Sequence, residues 1–163
     1  MSTDKTRIAL VSENKNLHQF FEALMKTYNS DRSEDFEILC TVEPHKIQEF
    51  LPSILFVDQH SAEKLPDTVW GSITPGGIAI YPDHEQIEDS LKNTINFFRK
   101  IPFTKPTTED TGRGLMLITD DIDIPLQTKD VNIIENLNGL QQLAQATAVS
   151  QEDFWEAASE YAD

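Results

Sequence analysis

Gly76-Gly77-Ile78-Ala79-Ile80-Tyr81-Pro82-Asp83-His84 is the stretch on which the fold turns. A Pro-Gly-Gly turn at 75–77 launches Ile78 to Tyr81, an apolar, β-branched run of the kind that forms a buried strand. Pro82 stops the ladder, and Asp83-His84 stand where a strand of an α/β sheet hands over to a helix. Ligands of open α/β sheets bind outside the carboxyl ends of the strands, so an acid–imidazole pair there is well placed for chemistry. The same residues suit a plain polar turn ahead of an acidic helix start (Glu85, Glu88, Asp89), which the helix dipole favours. On position alone, the plain turn is the stronger reading.

Upstream, Arg7–Val11 reads as a strand, and Leu17, Phe20, Phe21, Leu24, Met25 and Tyr28 recur at helical spacing behind a polar turn. Phe36–Val42 is a second strand, Pro44 opens a short helix to Phe50, and Ser53–Asp58 is a third strand closing on an acid. Downstream, the pattern predicts a helix from about Glu85 to Lys100, with Ile87, Leu91, Ile95 and Phe98 on one face. Residues 102–114 read as an exposed loop, 114–119 as a buried strand and 131–134 as a further short strand. Ser150 followed by Asp153 is an N-cap signature, so the chain is expected to end in two helices. Alternating strands and helices predict one α/β domain over 1–163: a three-layer sandwich with a mainly parallel sheet, helices on both faces and a helical C-terminus.

A formal charge of −15 and a pI near 4.5 argue against a nucleic-acid surface and against an anionic membrane. Cys40 is the single cysteine, which excludes a disulfide framework and a thiolate metal cluster; apolar neighbours mark it as a small buried hydrophobe. The first six residues are polar, and no apolar run reaches membrane-span length, so the expectation is a cytoplasmic protein.

A phosphate-binding loop needs glycines, so that backbone N–H groups can close on phosphate oxygens, and a lysine for charge. The turn Ser12-Glu13-Asn14-Lys15-Asn16 has Lys15 but no glycine, and Glu13 would repel phosphate. Asp58, Asp83, His84, Asp120 and Asp121 all follow strands, and carboxylates with an imidazole suit Mg²⁺ or Mn²⁺.

Several stretches together resemble the central, ATP-binding domain of the Mur ligases, which add amino acids to UDP-N-acetylmuramic acid in peptidoglycan synthesis. They are Leu55-Phe56-Val57-Asp58-Gln59, Thr74 to His84, Asn96 to Phe103, Gly114 to Asp121 and Asn138-Gly139-Leu140 to Ala158. The resemblance points to the UDP-N-acetylmuramate–L-alanine ligase branch. It implies that His84, with Asp83, helps hold Mg²⁺ near the ATP phosphates and that Asp58 is a second acid. It also places Asn136 and Asn138 near the turn that contacts adenine, with their spacing off by one. The family's Gly-Thr-x-Gly-Lys-Thr loop is replaced by Ser-Glu-Asn-Lys-Asn-Leu, leaving Lys15 at most a weak phosphate contact. The expectation is therefore a degenerate Mur-ligase-like domain without ligase activity, scaffolding or regulatory in cell-wall metabolism and working with a protein partner.

Two other classes stay open. The first half resembles a response-regulator receiver, with Asp58 as phospho-acceptor and Thr104-Lys105-Pro106 as its Lys-Pro turn, although only one acid stands in the first turn. The other is a non-catalytic interaction module that docks a partner through apolar helix faces and Trp155, although Trp70 and Trp155 also suit the core.

Overall fold

A computed structural model describes residues 5–162. Strand β1 (Thr6–Val11) leads to helix α1 (Lys15–Tyr28), β2 (Phe36–Cys40), α2 (Pro44–Phe50), β3 (Ile54–Val57), α3 (Asp67–Trp70), β4 (Gly77–Pro82), α4 (Glu85–Lys92) and β5 (Phe98–Phe103). A hairpin unit follows, β6 (Thr107–Asp110), β7 (Leu115–Ile118) and β8 (Asp123–Leu126). Helices α5 (Val131–Glu135), α6 (Leu137–Ala146) and α7 (Gln151–Glu160) close the chain.

The first five strands form a parallel sheet in the order β2-β1-β3-β4-β5, and the next three a small antiparallel sheet. Side chains alternate across a strand, and here both faces are apolar because both are covered. Ile8, Leu10, Ile54, Phe56 and Ile80 face α1, α6 and α7. Ala9, Val11, Leu55, Val57, Ala79 and Tyr81 face α2, α3 and α4. The three-layer α/β reading holds. Trp70 is 1% and Trp155 9% exposed, each edge-on to a neighbouring ring, Tyr81 at 5.8 Å and Phe154 at 5.0 Å. Both are core residues. Cys40 is half-buried against the first face, and burial, aided by Glu22, pushes its thiol up to about 11, so it is a poor nucleophile at neutral pH.

Four expectations are corrected. The helix after His84 stops at Lys92, where the N–H groups of Asn93 and Thr94 turn back onto Ser90 and Leu91. Phe98 is buried as the first residue of β5, paired with Gly77, whereas Ile95 is fully exposed. Sheet pairing over six residues outweighs a helical pattern that an Asn-Thr-Ile-Asn stretch supports weakly. Residues 131–134 are helical because Asp130 caps them, and the chain ends in three helices. The predicted loop 102–114 contains β6; the predicted strand 114–119 is present as β7, in the antiparallel sheet.

Candidate functional site

In a sheet of this order the direction in which strands are added reverses between β1 and β3, and the ligand crevice of such folds opens there. The residues just beyond the two strands are Ser12 and Asp58. Ser12 Oγ donates to Asp58 Oδ2 at 2.5 Å, and the Ser61 N–H donates to Oδ1 at 2.7 Å. The Asn14 N–H in turn donates to Ser12 Oγ at 3.1 Å. Ser12, Asp58 and Ser61 are all buried, so both oxygens of this carboxylate are committed inside the protein.

A strap formed by residues 130–138 lies across the crevice. Asn14 caps α1 by accepting from the Leu17 N–H at 3.0 Å, and its amide nitrogen donates to Asp130 at 3.3 Å. Asn16 Nδ2 donates to Asp130 Oδ2 at 2.7 Å, while Asp130 Oδ1 caps α5 by accepting from the Asn132 N–H at 2.9 Å. Asn136, 1% exposed, accepts the Gln59 N–H at 2.8 Å and donates to the Asn132 carbonyl at 2.5 Å. Lys105 pairs with Glu135 at 3.6 Å, and Asn138 Nδ2 donates to the Thr104 carbonyl at 2.9 Å. The ends of β1, β3 and β5 are thereby stitched to the start of the helical tail.

The electrostatics follow from this lacing. A helix N-terminus favours an anion, and the one beside the Asn14–Asn16 turn is a carboxylate of the same chain. Burial acts to raise the Asp130 pKa. Hydrogen bonds from Asn16, Asn14 and the Asn132 and Ile133 amides outweigh it and hold the group below the ordinary aspartate value of 3.8. A depressed folded-state pKa gives stability that is complete above that value and is lost as pH falls through the lower one. Asp130→Ala is expected to cost about 1 kcal/mol as a lost helix cap and to flatten the acid limb below pH ~4. Urea melts of both proteins from pH 7 to pH 3 check it.

The other residues nominated by sequence are scattered along the same edge. Lys15 is exposed at the first position of α1. Asp83 is exposed, and its N–H donates to the Phe103 carbonyl at 2.7 Å. His84 caps α4: its Nδ1 accepts from the Gln86 N–H at 3.2 Å, while Nε2 faces Glu63 Oε1 at 3.3 Å. Among the described residues no three His, Cys, Asp or Glu side chains converge as a metal site. Asp58, Asp83 and His84 are not brought together, and as placed they do not fit a shared Mg²⁺. A broad hollow of about 900 Å³ lies elsewhere, between the antiparallel sheet and α6–α7; of the nominated residues, Asp120, Asp121, Asn138 and Trp155 are in its lining.

Sequence reading missed Asn14, Asn16 and Asp130. A signal existed for Asp130, since an Asp directly before Val131-Asn132-Ile133-Ile134 is a helix N-cap pattern. Nothing local marks the asparagines as its partners, because the contact spans more than a hundred residues.

No family profile and no curated protein matches the sequence. Among solved structures, MurF from Acinetobacter baumannii matches with a TM-score of 0.69 at 11% identity, over 96% of this chain and 46% of that one. The fold is Mur-ligase-like. The chain spans less than half the length of that MurF chain, and the likeness gives no support to the L-alanine-adding branch. Among the described residues no helix is long and apolar enough to cross a membrane.

Proposed function

We propose that this chain is a Mur-ligase-like domain that does not turn over nucleotide and serves as a binding scaffold or regulator, with peptidoglycan precursor metabolism as its setting. The observation that carries the reading is the Asp130 carboxylate on the Asn14–Asn16 turn. A nucleotide phosphate approaching the start of α1 meets a fixed negative charge and an N-terminus already capped from within. The missing glycines point the same way, because the backbone cannot wrap a phosphate there. MurF, one structure it resembles, is a Mur ligase, which is the source of the metabolic setting.

The test is a calorimetric titration with Mg-ATP on the natural protein and on His84→Ala. No heat above dilution is expected from either. Micromolar binding that disappears in His84→Ala would overturn the reading and restore a nucleotide site.

The receiver-like alternative is favoured by the sheet order and by Asp58 standing directly after β3. It ranks second because both Asp58 oxygens are engaged, and Ser12 occupies a place where a receiver needs an acid to hold Mg²⁺. A conformational response to Mg²⁺ and beryllofluoride that requires Asp58 would reverse that ranking.

A further inference from the structure

The rim at the outer side of the parallel sheet differs in chemistry from the rest of the protein. All 28 acidic residues lie outside positions 90–108, while Lys92, Arg99, Lys100 and Lys105 fall within them. Two large apolar side chains project there, Ile95 and Phe97, the latter 82% exposed. Their exposure has a structural cause. Asn96 Nδ2 donates to the carbonyls of Ile73 at 2.8 Å and Trp70 at 3.3 Å, pinning the turn through the residue between them. On the ladder, the Gly76 N–H donates to the Phe97 carbonyl at 2.8 Å, so a glycine is the neighbour of Phe97 on β4's side and offers it no side chain to pack on.

The strand that follows is the last of its sheet, and its free edge can be read from its bonding. Carbonyls of Phe97 and Phe103 accept from the β4 side, which directs residues 97, 99, 101 and 103 inward and 98, 100 and 102 outward. Pro102 lacks an N–H and blunts the upper part of the outer edge, while the N–H groups of Phe98 and Lys100 remain outward below it. Among the described residues neither Arg99 nor Lys100 forms an ion pair.

From these observations we infer that the β5 rim is a docking surface for an acidic, apolar, extended segment of another protein, which joins the sheet beside β5. Main-chain bonds to Phe98 and Lys100 give the segment its alignment, Ile95 and Phe97 take its apolar side chains, and Arg99 and Lys100 meet its carboxylates. Because Asn96 holds the turn, the backbone that presents the two apolar side chains is already fixed, which lowers the ordering cost at binding. A second copy and an anionic bilayer each bring extended negative charge against a chain of −15 and are disfavoured, whereas a short segment meets mainly the cations of the rim within a screening length. The inference rests on the reading of the chain as a binding module and names the surface that binds.

The experiment is selection of a displayed library of random 12-residue peptides on the immobilised full chain. Enrichment of sequences mixing Asp or Glu with Phe, Leu, Ile or Val is expected. The selected peptides should perturb backbone NMR signals of residues 94–101 and lose affinity about tenfold on Phe97→Ser and on Arg99→Glu. Both positions are solvent-facing, so thermal melts of the variants should match the natural protein. Failure to enrich, enrichment of basic peptides, or binding indifferent to both variants overturns the inference. So does concentration-dependent self-association lost in Phe97→Ser, or co-sedimentation with phosphatidylserine vesicles lost in Arg99→Glu. A Mg-ATP titration on the same two variants keeps the questions separate: nucleotide binding would defeat the proposed scaffold reading and leave the peptide result standing.

Discussion

Asp58→Ala is expected to destabilise the protein by about 3 kcal/mol, whereas Asp58→Asn should cost less than about 1 kcal/mol. The alanine leaves the Ser61 N–H and the Ser12 hydroxyl buried without their acceptor. Each orphaned buried donor costs about 1–3 kcal/mol. The asparagine keeps one oxygen for the Ser61 N–H, and its amide can donate to Ser12 Oγ once that hydroxyl rotates. Urea unfolding at pH 7 measures both. A large loss in the asparagine variant would mean that the negative charge itself is required at this position. Equal, small losses in both would mean that the buried network contributes little.

The second large effect is at the turn on which the fold depends. Gly77→Ala is expected to cost about 3 kcal/mol, the upper part of the usual range for overpacking. A methyl group there would stand 2.5 Å from the Ser53 carbonyl oxygen, 2.9 Å from that of Thr74 and 2.7 Å from Ile73 Cγ2. Two of those three atoms are backbone, and Ser53 is tied into the sheet through the Ile78 N–H at 2.8 Å, so neither can yield by changing a rotamer. Gly76 is the control. Its surroundings are open, but its φ of +82° is a conformation that favours glycine, so Gly76→Ala should cost about 1 kcal/mol through backbone strain alone. Thermal melts of the pair distinguish steric exclusion from torsional preference in adjacent residues.

Elements that announce themselves through local pattern were legible in the sequence. Arg7–Val11, Ser53–Asp58 and Ile78–Tyr81 are compact apolar runs between turns, and each is a strand of the parallel sheet. The region 93–103 was not legible, because Phe98 continues the helical spacing of Ile87, Leu91 and Ile95 although it is the first residue of β5. The choice between helix and strand is made by β4, a partner outside the window. The 131–134 run failed for a different reason, since β-branched residues suit a strand until a capping Asp is weighed. The candidate site was legible as a place, the carboxyl edge, but not as an arrangement. Asp58, Asp83 and His84 do follow strands, yet three unrelated sets of hydrogen bonds hold them. Asn136 and Asn138, nominated for adenine, act as tethers of α5 and α6 to the sheet.

The strap also bears on how the chain reaches this state. Asn14 and Asp130 are separated by 116 positions, and Gln59 and Asn136 by 77, so the sheet's crevice is closed by some of the most distant contacts in the chain. Contacts of long sequence separation carry the heaviest loop-closure entropy and form slowly. During synthesis all five parallel strands emerge before residue 130 does, and the crevice stays open until the tail arrives. Closure of the crevice is thus expected to be a late event in maturation, and the interval before it is when the nascent sheet is expected to be most exposed to mispairing.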